Sequence, residues 1–132
     1  LSKNSMNKYG NKKVIVDGVV FDSKREAIRY RQLLTLQKAG EISDLKRQVE
    51  FLLIPNQYAI EERYSKSGKR LKDKQILLER KVSYISDFTY LDKDHNLIVE
   101  DVKSKVTKTP EFIIKKKLML FIHKIEVKIV EY

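Results

Sequence analysis

The sequence predicts an α/β fold in which helices flank a mixed β-sheet. Three observations favour this class: runs rich in β-branched residues alternate with two segments of helical periodicity, hydrophobic residues make up 42% of the chain, and the chain has 132 residues, which fits one domain. We expect residues 1–12, which are polar, to form a flexible tail, and residues 13–132 to form the single domain.

The first predicted elements are a β-hairpin and a helix. Two β-rich triplets flank Asp17-Gly18 in KVIVDGVVFDS, and an Asp-Gly pair between such runs is a strong hairpin signal. Ser23 or Asp22 is suited to cap the helix that follows. Ala27, Tyr30 and Leu34 recur at helical spacing in SKREAIRYRQLLTLQKAG, and Gly40 is placed to end the helix.

The remaining elements are predicted to be mostly strands. KRQVEFLLI (46–54) reads as a strand ending at Pro55, YAIEERY as a possible strand, SKSGKRLKDK as a basic loop, and 76–91 as one strand. Asp92 to Asn96 predicts a turn, and NLIVEDVKS the next strand. Thr109-Pro110-Glu111 predicts the start of a helix over FIIKKKLMLFIHK. IEVKIVEY predicts the closing strand.

Composition points to a polyanionic partner and excludes several chemistries. The net charge is +10 and the pI is about 9.7, which favours nucleic acid over an anionic membrane surface; a lysine-rich solubilising surface is the alternative. The absence of cysteine excludes disulfides, thiol catalysis and Cys-ligated zinc. The apolar runs are too short for a membrane span and the N-terminus does not resemble a signal peptide, so we expect a soluble intracellular protein.

The predicted hairpin at residues 86–105 carries charges that a buried hairpin does not need. Asp101 and Lys103 alternate with Val102 and therefore share one strand face with Leu97 and Val99. Pairing about the 92–96 turn places Asp87 beside Asp101. Two adjacent carboxylates repel one another, and a hard divalent cation relieves that repulsion. Ordinary ion pairs at a sheet edge are the alternative.

These residues also resemble a known signature. Asp87, a 13-residue gap and Asp101-Val102-Lys103 resemble the PD-(D/E)xK nuclease motif, with Ser86 standing where the signature has Pro. FDSKREAIRYRQL, SDFTY and VEDVKS are together similar to a small phage and prophage domain family of unknown function placed in that superfamily. The resemblance covers most of residues 13–132 and implies a restriction-endonuclease-like α-β-β-β-α-β core.

The resemblance implies a role for each motif residue. Glu26, Asp87 and Asp101 would bind Mg²⁺ or Mn²⁺, the Val102 carbonyl would add a ligand, and Lys103 would orient the attacking water. Glu100 would replace Asp101 as the acidic member if the strand carried a bulge. Nucleic-acid contacts are expected from basic residues that would otherwise be solvated surface charges: Arg29, Lys69, Arg70, Lys116 and Lys117.

The function expected from these features is a Mg²⁺-dependent DNA endonuclease in the cytoplasm of a bacterial host, with DNA as its partner and a homodimer as a possible assembly. A resolvase that cuts branched DNA, such as a Holliday junction, is an alternative within the class. A non-catalytic DNA-binding module on the same fold and a basic partner for an acidic protein are alternatives outside it.

Overall fold

A computed structural model describes residues 13–21, 23–106 and 108–132, so the predicted tail and Asp22 lie outside the described residues. The mixed α/β class is confirmed: two helices flank a central sheet that contains parallel and antiparallel pairs. The elements are β1 (Val14–Val16), β2 (Val19–Phe21), α1 (Lys24–Lys38), β3 (Ser43–Arg47), β4 (Glu50–Ile54), β5 (Gln57–Glu61), β6 (Lys74–Glu79), β7 (Val82–Ile85), β8 (Phe88–Leu91), β9 (Leu97–Lys103), α2 (Pro110–Leu118) and β10 (Lys128–Glu131).

Local sequence signals set the first three elements. Asp17 and Gly18 both have positive φ, 50° and 75°, as the tight turn between β1 and β2 requires. The Ser23 side chain accepts a hydrogen bond from the Glu26 backbone N–H and caps α1. The hairpin, the cap and the helix were all predicted from the sequence, and the structure confirms them.

The central sheet has the order β10-β9-β8-β3. β9 is antiparallel to β8 and parallel to β10, with Phe88 opposite Glu100 and Lys128 opposite Glu100 on the other side. The 92–96 turn is confirmed: the Asp92 side chain accepts hydrogen bonds from the backbone N–H groups of Asp94 and Asn96. Strand β9 therefore lies between two partners, and its side chains alternate strictly between the two faces of the sheet.

Each sheet face has its own hydrophobic core. On one face, α1 and the β1–β2 hairpin pack around Phe21, Leu33 and Phe88. On the other face, α2 packs around Val99, Phe112 and Met119. None of the helices in the described part of the chain is long and apolar enough to cross a membrane.

A long bent β-ribbon projects from the central sheet, and it corrects two predictions. Neither 46–54 nor 76–91 is a single strand, because β3 pairs with β8, β4 with β7, and β5 with β6 in succession. The first bend lies at Gln48, whose φ is 49°, where Gln48 N–H donates to Asp87 O and Ser86 N–H donates to Val49 O. Pairing is therefore kept across the bend, while the strand direction changes.

The second helix starts as predicted but ends differently. Pro110 is its first residue and the Thr109 side chain accepts from the Phe112 N–H. The predicted α-helix over 112–124 instead stops at Leu118, and Met119–His123 continue as a π-helical turn that closes at Lys124 with φ 60°. The buried Met119 holds this turn against the core, so packing overrides helical periodicity here.

Candidate functional site

The candidate site is centred on Asp87, which lies at the bend of the ribbon. Because β8 begins only at Phe88, Asp87 stands one step beyond the last β8–β9 pair, next to Asp101. Its Oδ2 accepts a hydrogen bond of 2.8 Å from the Val102 N–H, and its backbone N–H donates to Glu100 O. Both backbone groups of Asp87 are thus paired, with Glu100 and with Gln48, and its carboxylate is fixed against the backbone of β9.

Asp101 and Lys103 lie on the same face of β9, as strand alternation predicts. Asp101 is buried, with 3% exposure. The Lys103 Nζ lies 3.7 Å from Asp101 Oδ2 and 4.6 Å from the centroid of the Phe112 ring. The ammonium is therefore held between a carboxylate and an aromatic face, and its side chain retains 23% exposure to solvent.

Glu26 reaches this group from the first turn of α1. Its carboxyl is close enough to Asp87 and Asp101 for both to affect its ionisation. The capped helix start fixes its backbone, because Ser23 accepts a hydrogen bond from the Glu26 N–H. The first helix and the β8–β9 hairpin thus bring three acids together, and Asp87 affects the ionisation of both of the others.

The electrostatics of the cluster disfavour three free carboxylates. Burial, followed by the neighbouring Asp87 carboxyl and the charge of Asp101, raises the pKa of Glu26 to about 8, although Arg47 opposes the shift. Burial and Asp87 likewise raise the pKa of Asp101 to about 8, against the effect of Lys103. Near neutral pH the cluster therefore favours bound protons or a bound cation over full ionisation.

Two neighbours of the cluster were missed from the sequence. The Tyr84 hydroxyl is buried near Asp101 without reaching normal hydrogen-bond geometry to any described residue; burial and the charge of Asp101 raise the pKa of Tyr84. Arg47 lies 4.3 Å over the Phe21 ring and close enough to Glu26 to affect its charge. Strand alternation places Tyr84 and Asp87 on opposite faces and so gives no signal for Tyr84. Arg47 is brought here by the pairing of β3 with β8, in which it lies opposite Phe88.

The Glu100 side chain points to the opposite face of the sheet, where its carboxylate is hydrogen-bonded and paired with basic side chains. Arg29 donates from Nε to Oε1 at 2.9 Å and from Nη2 to Oε2 at 2.6 Å. The Tyr90 hydroxyl donates to Oε2, and Lys128 Nζ lies 3.7 Å away. Strand β9 has no irregularity in its pairing with β8 or β10. The open choice between Glu100 and Asp101 therefore favours Asp101 as the member of the acidic cluster.

The residues expected to contact nucleic acid differ in whether they are already paired with a carboxylate. The Arg29 guanidinium is occupied by Glu100, which disfavours the phosphate contact expected for it. Arg70 pairs with Asp73 at 2.6 Å. Lys69, Lys116 and Lys117 make no ion pair with any described residue. Lys69 lies between β5 and β6 at the end of the ribbon, whereas Lys116 and Lys117 lie on α2.

The donor set suits a hard divalent cation. Within residues 13–21, 23–106 and 108–132, no three acidic or histidine side chains are arranged as a formed cation site. Three carboxyl groups of which two have raised pKa values are nevertheless the oxygen-rich, charge-loaded set that Mg²⁺ or Mn²⁺ prefers. The Val102 carbonyl remains a predicted fourth donor.

Comparison with protein families places the chain. Residues 6–130 match the model of a family described as a protein of unknown function, DUF1064. The chain belongs to the DUF1064 family. Comparison with curated proteins and with solved structures finds no match. The acidic cluster described above is therefore a candidate site in a DUF1064 domain.

Proposed function

We propose that this DUF1064 chain is a metal-dependent DNA endonuclease that hydrolyses phosphodiester bonds at the Glu26, Asp87 and Asp101 cluster. The observation that carries the proposal is the convergence of these three acids beside Lys103 in a protein of net charge +10. Burying an acidic cluster is costly unless a cation binds there. A polyanionic substrate would account for the positive charge of the rest of the protein.

We propose further that the core is restriction-endonuclease-like. The order α1, β3, β8, β9, α2, β10 supports this, with the ribbon inserted between β3 and β8. The helices cover opposite faces of the sheet and the last strand is parallel to β9. In this reading β9 supplies Asp101 and Lys103, the ribbon bend supplies Asp87, and the start of α1 supplies Glu26.

The residues have distinct roles in the proposed reaction. Glu26, Asp87 and Asp101 would hold Mg²⁺ or Mn²⁺, which when bound supplies Lewis-acid stabilisation of charge on phosphate. The Val102 N–H fixes the orientation of Asp87. Lys103, held by Asp101 and the Phe112 ring, is positioned to orient a water molecule or to bind a phosphate oxygen. The Tyr84 hydroxyl is buried beside Asp101.

The test is cleavage of a DNA panel with defined variants. Purified protein is incubated with Mg²⁺ or Mn²⁺ and linear, nicked, flapped and four-way DNA. Asp101→Ala and Lys103→Ala are expected to abolish cleavage while circular dichroism shows a folded protein, and Lys38→Ala, far along α1, is the matched control. Both variants cutting like the parent would refute the site. Cutting confined to the four-way DNA would identify a resolvase, and binding without cutting by the parent a non-catalytic module.

A further inference from the structure

The end of the bent ribbon forms an arm that is exposed on all sides. We define the arm as residues 57–79, comprising β5, the connecting segment and β6. Every residue of β6 is exposed, and β5 and β6 pack mainly against each other. An isolated two-stranded hairpin is marginally stable in water, so a surface this exposed is suited to being covered by a partner.

The charge of the arm is concentrated at its end. Residues 63–74 contain six basic side chains and one acidic side chain. Asp73 is paired with Arg70, and the Arg63 Nε donates to Lys72 O. Among the described residues, Lys66, Lys69, Lys72 and Lys74 have no carboxylate partner. This end is therefore a cluster of unneutralised ammonium groups, which complements a polyanion.

The backbone of the arm is ordered enough to present these lysines together. Gly68 has a φ of 88° and turns the chain, the Ser65 side chain accepts from Lys69 N–H, and Tyr64 bridges Arg70. The Arg70 guanidinium also lies 5.8 Å over the Tyr64 ring. These contacts make the end a closed hairpin rather than an open loop, so the backbone positions from which its lysines extend are held relative to the strands.

The shape of the arm fits a groove of duplex DNA. A two-stranded ribbon is one of the two elements that the major groove of B-DNA admits. Apolar side chains are exposed on both faces of the arm: Ile60 at 68% on one face and Ile76 at 36% on the other. A ribbon lying in a groove is contacted on both faces, whereas a ribbon lying on a flat protein surface is covered on one.

The arm is covalently continuous with the acidic cluster. From Asp87 at the first bend, the strand runs through β7 and β6 to Lys74. At about 3.3 Å per residue this path has a contour length of about 43 Å, which is the upper limit of the direct distance because the ribbon is bent. The positive charge therefore lies on a separate part of the molecule from the acids.

We propose that the arm binds the phosphate backbone of duplex DNA by entering its major groove, with Lys66, Lys69 and Lys72 as the principal contacts. The inference rests on the proposed function, since it takes the substrate class of the acidic cluster as the ligand of the arm. It adds a second binding element that holds the duplex on the far side of the ribbon bend and sets the length of DNA that the protein covers.

Binding is measured without cleavage, by fluorescence anisotropy of a 30-base-pair duplex in EDTA over a range of KCl concentrations. The arm variant is Lys66→Gln/Lys69→Gln/Lys72→Gln, and the control of equal charge is Lys38→Gln/Lys93→Gln/Lys124→Gln. Each phosphate contact contributes about 0.9 to the salt slope. We expect the arm variant to lower the slope by about 2 to 3 and the affinity by at least tenfold, and the control to change the slope by less than 1.

A second variant removes the end of the arm. Glu61 and Lys74 are paired across the ribbon, so replacing residues 62–73 by Asn-Gly closes a two-residue hairpin turn. We expect the same loss of affinity. Equal losses in the arm and control variants, or parental binding by both arm variants, would overturn the proposal.

Failure of this proposal is distinguishable from failure of the proposed function. If the parent cleaves DNA and the arm variants bind and cleave like it, only the arm proposal fails. If the parent binds duplex through the arm and never cleaves, only the catalytic proposal fails. Sedimentation velocity completes the test: an arm deletion that converts a dimer to a monomer while leaving the salt slope unchanged would make the arm a contact between two copies and overturn the DNA proposal.

Discussion

Removing Arg29 should destabilise the protein severely, because the buried Glu100 carboxylate would lose both hydrogen bonds from the guanidinium and keep only the Tyr90 hydroxyl and the Lys128 ammonium at 3.7 Å. The Glu100 side chain is 0% exposed and that of Arg29 is 17% exposed. Burial opposes ionisation of Glu100, but the hydrogen bonds from Arg29 and Tyr90 prevail and lower its pKa below the usual range. In Arg29→Met the packing stem of the side chain is kept and the two donors to Glu100 are lost.

The expected cost follows from the geometry. Removing one partner of a buried ion pair costs about 3–5 kcal/mol. With an unfolding entropy of about 2.1 cal/mol/K per residue, this corresponds to a fall in Tm of about 11–18 °C for a chain of this length. The lowered pKa of Glu100 stabilises the fold above the unfolded pKa near 4.3 and is lost as the pH falls, so the difference between parent and variant should be largest near pH 7 and shrink below about pH 4.

The assay is thermal and urea unfolding followed by circular dichroism, with Arg25→Met as the control. Arg25 lies in the same helix and is exposed, with its guanidinium 5.0 Å from the Tyr132 ring centroid, and we expect it to cost less than about 1 kcal/mol. Arg29→Met/Glu100→Gln removes both charges and should recover at least half of the loss. A cost below about 1 kcal/mol for Arg29→Met, or a double variant no more stable than the single one, would refute the reasoning.

Two further predictions concern the acidic cluster. Mg²⁺ or Mn²⁺ should raise the Tm at pH 7.5, by about 2.7 kcal/mol of stabilisation at a hundredfold excess over Kd, and Glu26→Gln should remove most of the rise in differential scanning fluorimetry; an undiminished rise would exclude Glu26 as a ligand. In EDTA, the raised pKa values of Glu26 and Asp101, about 8 each, mean that folding takes up protons. The unfolding free energy should therefore fall as the pH rises from the unfolded pKa values near 4 to about 8, by up to about 1.4 kcal/mol per pH unit for each group. Asp101→Asn should flatten this slope in urea titrations, whereas stability that rises with pH in the parent would contradict the charge assignment.

Local signals in the sequence predicted the parts of the fold that local chemistry decides. The Asp17-Gly18 turn, the Ser23 cap and the 92–96 turn each satisfy their own backbone groups, and each is found where it was predicted. The alternation of β9 likewise placed Asp101 and Lys103 on one face. These features depend on a few neighbouring residues, so the sequence contains the whole cause.

The features that were mispredicted depend on distant partners. The bend at Gln48 is held by hydrogen bonds across the ribbon, from Gln48 N–H to Asp87 O and from Ser86 N–H to Val49 O. Neither segment contains a local sequence signal that predicts a break in the strand. The π-helical turn after Leu118 accompanies the packing of Met119 into the hydrophobic core. Arg47 joins the cluster through the long-range pairing of β3 with β8, so its nearness to Glu26 has no signature in the local sequence.

The ribbon also has a consequence for the order of folding. The sequence separation of its pairs grows steadily from Glu61 with Lys74 at the outer end to Ser43 with Leu91 at the base. Loop-closure entropy makes the short-range pairs cheapest to form, so we expect pairing to propagate from the arm towards the sheet. Asp87 reaches Val102 across the β8–β9 hairpin, a separation of only 15 residues, whereas Glu26 lies far from both in sequence and should join the cluster later. Substitution of Glu26 should then mainly accelerate unfolding and leave the folding rate nearly unchanged, which makes the arrival of α1 the last step in assembling the acidic cluster.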